Sequence, residues 1–540
     1  MVRVKINNND WFINKKEDIW IASKGYFYLD NKYLSEKSIN DLLLKLIESE
    51  DENKFLEFLK SVNGFFAFII KTKEKLYCVV DRVRSIPLFY NYGVNEITIY
   101  DNLDFDSKNI NKIAALEFLL TGYVTGNQTL LDSYFQLEAG TFLLFEIQKN
   151  KLKVEKYYEY LSNELDNRNE EELKEELKDI LYKIFNRLYN SIKNKNVIVP
   201  LSGGFDSRLI VTMLKEFGMD NVKCFTYGRQ ANKESEKSKE IARLLGYKWD
   251  FYEYNYNDWK IFSNSEDLKL YKRKAFNFVS VPHIQDFMAV KQIYNEEVNQ
   301  EIVFIPGHSG DFLAGSHITT NIYKGYIENV LDCVVNEIFE RHYYLWTIWN
   351  NNIVNEIKNK IKINIPKLNS MDKREEAAKV FEYWDWKERQ SKFIINSLRV
   401  YEHFNYSWMI PLWDLEIMEF FNKIPIEYKY NKYLYDETLN YMFPKLFEKR
   451  HPRKIDGISI KKKLYKNRII RYISQVRIAK KKHHLQWYGL FAHEKLGFIY
   501  DILETKLLWP NSINSYYSLK IIKELLETET NYRRQILMED

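Results

Sequence analysis

The sequence predicts an α/β protein. A layered α+β domain over residues 1–160 precedes a doubly wound parallel-sheet domain over 168–540, mainly helical from about residue 320. Three observations predict this. The first 160 residues carry short apolar runs between turn signals, as buried strands do. Residues 197–305 alternate strand and helix, the signature of a parallel sheet. Beyond about 320 the periodicity is helical and rich in Trp and Tyr.

In the first part the runs Ile19–Ala22, Phe65–Ile70, Tyr77–Val80 and Phe142–Phe145 read as strands, as does the start, Met1–Lys5. Two helical patterns interrupt them, near Ile39–Ile47 and Ala114–Leu120. After a polar boundary at Asn163–Glu172, Leu173, Leu177, Ile180, Leu181, Ile184 and Leu188 fall on one helical stripe. Glu170, Glu171 and Glu172 occupy its first turn, where carboxylates suit the helix dipole. Strands follow at Val197–Leu201, Val222–Tyr227, Trp249–Tyr254 and Glu301–Ile305. Helices are expected at Arg208–Phe217 and Glu234–Leu245, the second stopped by Gly246.

Composition sets the bounds. A chain of 540 residues suits about two to four domains. At 45% hydrophobic and 16% aromatic it carries too much apolar mass for dominant disorder. Three scattered Cys exclude a disulfide scaffold, disfavour a Cys-based zinc site and fit a reducing cytosol. The apolar run Gly64–Ile70 is far short of the roughly 20 residues a membrane span needs, and no signal-peptide core follows Met1. A cytoplasmic location is expected. The net charge of +5 says little about partners unless it is concentrated.

The strongest chemical signal is Leu201-Ser202-Gly203-Gly204-Phe205-Asp206-Ser207, directly between a strand and a helix. Gly203 and Gly204 let backbone N–H groups approach an anion at the helix N-terminus. Ser202 and Ser207 supply hydroxyl donors, and Asp206 is an oxygen ligand suited to Mg²⁺. The Lys of a Walker loop is absent. The bland alternative is an ordinary turn and N-cap. A second turn, Ile305-Pro306-Gly307-His308-Ser309-Gly310-Asp311-Phe312-Leu313-Ala314-Gly315, again follows a strand and brings one more Asp.

The first loop resembles the S-G-G-x-D-S pyrophosphate loop of N-type ATP pyrophosphatases. With the second loop, with Pro411-Leu412-Trp413-Asp414, and with Arg453-Lys454-Ile455-Asp456-Gly457, it is similar to the synthetase domain of the asparagine synthetase family. Arg208 resembles the S-G-G-x-D-S-R variant of relatives devoted to specialised ligations. The N-terminal part is similar to that family's Ntn-hydrolase-like glutamine amidotransferase domain, through Asn63–Phe68, Asp81–Tyr90, and Thr129-Leu130 with Leu137–Gly140.

The resemblance implies ATP and Mg²⁺ as cofactors. It implies an adenosine site lined by Leu201, Tyr227 and Gly307, with Pro306 also binding ATP, a phosphate loop of Ser202, Gly203, Gly204, Asp206 and Ser207, and Asp206 with Asp311 as the metal pair. It implies an AMP-forming ligase that adenylates a small-molecule carboxylate and then forms an amide with an amine or ammonia. Lys454 is the candidate catalytic cation, with Arg453 competing and a surface charge the alternative. His308 stands where the family has Glu. It is a candidate general base near neutral pH, or a neutral His bonded within its loop. Phe312 replaces a second acid and removes one metal or charge contact.

The family's nucleophilic Cys is Val2 here, which cannot attack a glutamine amide, and the N-G-E glutamine clamp is missing. β-Lactam synthetases and lasso-peptide cyclases have lost the same Cys. The expected enzyme therefore does not hydrolyse glutamine, and its N-terminal domain is structural or shapes a channel. Three readings stay open: an ammonia-dependent asparagine synthetase, a ligase amidating a uronic acid or peptide, and a non-catalytic nucleotide-binding relative. The basic stretch Lys449–Lys482 reads as a solvated helical face, or as a contact for an anionic substrate or membrane surface. No nucleic-acid module is visible, and the oligomeric state stays open, a homodimer included.

Overall fold

A computed structural model describes residues 1–104, 109–228, 232–297, 301–346, 351–366, 372–448, 514–515 and 517–527. The described residues form a mixed α/β structure with three sheets. The first part supplies β1 (Val2–Lys5), β2 (Phe12–Lys16), β3 (Ile19–Leu29), β4 (Lys32–Leu34), β5 (Asn63–Lys71), β6 (Lys75–Val80), β7 (Phe89–Gly93), β8 (Glu96–Tyr100), β9 (Tyr134–Gln136), β10 (Thr141–Glu146) and β11 (Lys151–Lys156). One sheet runs β11-β10-β6-β5-β3-β2, with β4 on β3; the other runs β1-β8-β7-β9.

Strand β5 shows why its run is apolar throughout. Side chains alternate along a strand. Phe66, Phe68 and Ile70 join a cluster with Ile39 and Leu43 of α1 (Glu36–Glu48) and with Phe55, Phe58 and Leu59 of α2 (Glu52–Ser61). Phe65, Ala67 and Ile69 belong to the cluster that also holds Leu88, Tyr90, Ile97 and Ile99 of the second-sheet region. Both faces are buried, so no polar alternation survives. Helix α2 was not anticipated. Its start was legible in Asp51, whose side chain accepts from the Asn53 and Lys54 amides. The expected second helix is α3 (Lys112–Thr121).

Helix α4 (Glu170–Ile192) opens on a capping box between Asn169 and Glu172 and buries the predicted stripe. The third sheet follows. It contains β12 (Asn196–Pro200), β13 (Val222–Gly228), β14 (Lys248–Glu253), β15 (Ile302–Phe304) and β16 (Ser407–Trp408), in the order β14-β13-β12-β15-β16. All four pairings are parallel. The chain therefore winds outward from β12 in two directions, and the order reverses between β12 and β15. In open α/β sheets ligands bind in the crevice at this reversal, beyond the carboxyl ends of the strands. Helix α5 (Phe205–Glu216) starts three residues before the predicted Arg208, directly on the loop. Helix α6 (Lys233–Leu245) ends at Gly246, whose φ of +73° is the left-handed cap that glycine tolerates. No described helix is long and apolar enough to cross a membrane.

The first part is tied to the parallel sheet by motif residues. Asn63 Nδ2 donates to Asp414 Oδ2 at 2.9 Å, and Asn63 Oδ1 accepts from the Leu415 amide at 3.0 Å. Arg187 Nη2 donates to both Asp414 oxygens at 2.9 Å. Asp81 accepts from the amides of Phe66, Val83 and Ser85, which shapes the turn that presents the carbonyls of Arg82 and Ser85. Those carbonyls accept from Trp386 Nε1 and Arg399 Nη2. The P-L-W-D turn and the N-terminal motifs thus meet as one buried joint.

Candidate active site at the sheet reversal

A cavity of about 1220 Å³ opens where β12 and β15 diverge. It is lined by Leu201, Ser202, Gly204, Asp206 and Ser207 from the first loop. Pro306, Gly307, His308 and Asp311 line it from the second loop, and Tyr227 from the end of β13. Both predicted loops and the predicted adenosine-site residues therefore face one space. Gly203 is not a lining residue. Its carbonyl is held by Arg208 Nη2 at 2.8 Å, while Arg208 Nη1 bonds the Leu446 carbonyl at 2.7 Å. Arg208 braces the turn from behind.

The first loop is held by its own hydroxyls. Ser207 Oγ accepts from the Ser202 amide at 3.0 Å and lies 3.0 Å from Ser202 Oγ, which accepts from the Gly204 amide at 3.1 Å. The Leu201 carbonyl accepts from Thr226 Oγ1 and Ser238 Oγ, fixing the strand end against β13 and α6. Gly204 is the N-cap of α5 and carries no capping side chain, so the first amides and the dipole of a twelve-residue helix are left for an anion. The second loop comes close. A Cβ on Gly307 would lie 2.7 Å from the Ser207 nitrogen, so only glycine lets the two loops touch.

Asp206 sits deep in this contact. Its Oδ2 accepts from the Asp311 amide at 2.9 Å and its Oδ1 from the Tyr435 hydroxyl at 3.1 Å. Burial first, then the Asp311 carboxylate, push its carboxyl up to about 7. Two half-buried acids held close together, with oxygen donors only, fit a hard divalent cation. Asp311 Oδ2 also accepts from Ser316 Oγ at 3.2 Å. Phe312, by contrast, packs in the core against Tyr160 and Trp413, at ring distances of 5.9 and 5.7 Å. It lines no part of the cavity, so no metal contact is available to lose at that side chain.

His308 lines the cavity with Nε2 3.0 Å from Ser397 Oγ, while its Nδ1 is buried without a partner. Burial, reinforced by His283, lowers it to about 4. The imidazole is therefore neutral throughout the physiological range rather than titrating within it.

Four participants had no signal in the motifs. Lys432 lines the cavity, donates to Asp436 Oδ1 at 3.0 Å and stands over the Phe205 ring at 5.0 Å. Its φ of +64° follows Asn431 at +56°, a left-handed pair that turns it inward. Tyr435, His283 and Asp286 also arrive from distant segments. Lys454, Arg453 and the basic stretch Lys449–Lys482 lie outside the described residues. Among the described residues no cluster of His, Cys, Asp and Glu has the makings of a three-ligand metal site.

A Methanocaldococcus jannaschii protein named "Putative asparagine synthetase (glutamine-hydrolyzing) 2" is 28% identical over 162 residues, covering 27% of this chain and 30% of that protein. The chain thus matches under a third of that relative's length. Among solved structures, the NH3-dependent NAD synthetase of Campylobacter jejuni matches 38% of this chain and 100% of its own, at 14% identity and a TM-score of 0.20. The glutamine phosphoribosylpyrophosphate amidotransferase of B. subtilis matches 56% of this chain and 59% of its own, at 10% identity and a TM-score of 0.16. Overlaps that loose carry no weight for this chain. The profile described as asparagine synthase carries more, because it matches residues 187–505, more than half of the sequence and the whole of both anion loops. The chain belongs to the asparagine synthase family.

Proposed function

We propose that this chain is an ATP-dependent carboxylate–amine ligase that makes an acyl-adenylate and then an amide, without hydrolysing glutamine. One observation carries the reading: the uncapped N-terminus of α5 and the Asp206–Asp311 acid pair share one cavity at the sheet reversal. A carboxylate is a poor acyl donor, so it attacks the α-phosphorus of ATP and expels pyrophosphate. The Ser202 and Ser207 hydroxyls and the amides at the start of α5 hold the departing phosphates. Asp206 and Asp311 would hold Mg²⁺, which neutralises phosphate charge when bound. Lys432, paired with Asp436, stands over Phe205 at that end.

An amine then attacks the acyl carbon. The C–N bond forms, AMP leaves with the C–O bonding pair, and the amine must shed a proton. His308 is neutral, with Nδ1 open and Nε2 held by Ser397, so it can take that proton. Ser397 is a positioning residue. Val2 lies in β1, paired with Ile97, and offers no nucleophile, which supports an amine that arrives from solution. The N-terminal part then serves as the buried joint described above.

The test is pyrophosphate and AMP release with a panel of carboxylates and amines, glutamine among the amines. Wild type should release both products only when a carboxylate is present, and glutamine should yield no glutamate. An Asp206→Ala protein that released pyrophosphate as fast as wild type would sink the assignment.

A further inference from the structure

The second loop is held at its far end by a buried carboxylate that lines no part of the cavity. The chain leaves Asp311 through a short turn. The Ser316 amide donates to the Asp311 carbonyl at 3.0 Å, and the Ser316 hydroxyl donates to Asp311 Oδ2 at 3.2 Å. The next residue is His317. Its Nδ1 lies 2.6 Å from Asp385 Oδ2, and its ring stands 5.7 Å from that of Phe312.

The Asp385 side chain is 0% exposed, and a carboxylate so placed is costly unless it is paired. Burial opposes its charge, but His317 beside it, together with Arg389, outweighs burial and holds the carboxyl well below the usual carboxylate range. His342 offers a second imidazole 3.7 Å from the same oxygen, on the helix over Val330–His342. Burial lowers that imidazole to about 3, and its Nε2 has no hydrogen-bond partner. The fold thus bonds Asp385 to the imidazole that belongs to the second loop and leaves the other aside.

Asp385 opens a stretch, Asp385–Ile394, that is wound as a π-helix. Such turns are rare and are frequently found at functional sites. The winding brings Gln390 back onto Asp385, with Gln390 Nε2 donating to Oδ1 at 3.1 Å. The same stretch is fixed to the N-terminal part. Trp386 Nε1 donates to the Arg82 carbonyl at 2.9 Å, Glu388 Oε2 accepts from the Gly126 amide at 3.0 Å, and Lys392 Nζ donates to the Gly126 carbonyl at 2.6 Å. Asp385 is therefore a fixed post, and His317 is where the second loop reaches it.

We propose that His317 is a positioning residue: tied to Asp385, it sets Ser316 against Asp311 and so governs how tightly the Asp206–Asp311 pair holds a divalent cation. The inference rests on the reading that those two acids take the cation. Residues that orient a ligating carboxylate from outside carry about 10–100-fold in metal affinity. The N-terminal part then serves the site by anchoring the post, although it brings no nucleophile.

The experiment is Mn²⁺ binding to the full chain, read from the electron paramagnetic resonance of the free ion. It is run with α,β-methylene-ATP, which cannot be split between its first two phosphorus atoms. His317→Leu removes the donor to Asp385. His317→Asn keeps one, since the Asn Nδ2 falls where the His Nδ1 stands. Ser316→Ala cuts the last link and leaves the buried pair intact. His317→Leu and Ser316→Ala should each bind Mn²⁺ about tenfold more weakly than wild type, and His317→Asn should stay near it. The double variant His317→Leu/Ser316→Ala should be no weaker than either single one, because both act through one chain of contacts. In pyrophosphate release the Mg²⁺ concentration for half-maximal rate should rise by the same factor, while the rate at saturating Mg²⁺ stays near that of wild type.

Wild-type Mn²⁺ affinity in either His317→Leu or Ser316→Ala would overturn the proposal. Equal weakening by His317→Asn and His317→Leu would also overturn it, by showing that the bulk of the ring matters and its hydrogen bond does not. If His317→Leu does not fold, Ser316→Ala and His317→Asn decide the matter. Asp206→Ala separates the two readings. If it binds Mn²⁺ as tightly as wild type, the acid pair is not the metal site and the ligase reading fails with this one. If it loses the ion while His317→Leu and Ser316→Ala keep it, the acid pair stands and the role of His317 alone falls.

Discussion

Replacing Gly307 by Ala tests the closest contact in the site. The added Cβ would meet the Ser207 nitrogen at 2.7 Å, its Cα at 3.1 Å and the Asp206 carbonyl carbon at 3.2 Å. Ordinary van der Waals contact begins at 3.4 Å, and all three neighbours are backbone that no rotamer change can clear. The loops must part, and the obstacle sits on the first turn of α5, where Asp206 also takes the Asp311 amide. Overpacking of this kind costs about 1–3 kcal/mol. The displacement also moves the phosphate-holding amides away from the acid pair, and a shift approaching 1 Å costs on the order of 100-fold in rate. The assay pairs thermal unfolding with pyrophosphate release. Gly93→Ala is the control, since a Cβ there meets nothing within 4 Å. A Gly307→Ala protein with the unfolding midpoint and turnover of the Gly93→Ala control would refute the account of how the loops meet.

The other predictions follow from burial of charge. Asp206 has a native carboxyl raised to about 7 against 3.8 for an ordinary Asp. A raised acid contributes stability below its unfolded value and loses it as pH rises through the native one. Asp206→Asn should thus unfold at a higher temperature than wild type at pH 8, by about 2–4 kcal/mol at most, show no advantage near pH 4, and lose ligase activity at both; a midpoint that fell at pH 8 would contradict this. Arg187 and Asp414 are 4% and 5% exposed, so losing Arg187 would leave Asp414 a buried lone charge, whereas Arg187 without Asp414 would keep Glu416. Arg187→Ala should cost about 3–5 kcal/mol in urea unfolding. Adding Asp414→Ala on top should cost far less than it does alone, and strict additivity of the two would show the joint to be unimportant.

Local signals were legible in the chain. The strand, the Ser202–Ser207 loop and α5 are contiguous, and a strand running into Gly-Gly and then a helix has few ways to fold. The second loop shares its pattern. Helix ends at Asn169 and Gly246 were marked by residues that satisfy backbone groups within one turn. The start of α2 carried the same kind of mark in Asp51, and its short apolar stripe was lost between strands. The sequence left His308 open between a titrating base and a neutral imidazole, because what decides it is burial beside His283 rather than anything in the loop.

By itself the order of residues determined which segments become strand, helix and anion turn, and that Val2 cannot act as a nucleophile. These follow from neighbours a few positions apart, where backbone geometry and side-chain type act directly. Tertiary structure alone decided that Lys432 comes to stand over Phe205, 227 positions earlier, and that Asn63 and Arg187 converge on Asp414. It likewise decided that His283 and Asp286 reach the same cavity as the two loops. Such meetings depend on how the sheets stack and on what burial removes from water, and no spacing along the chain encodes either.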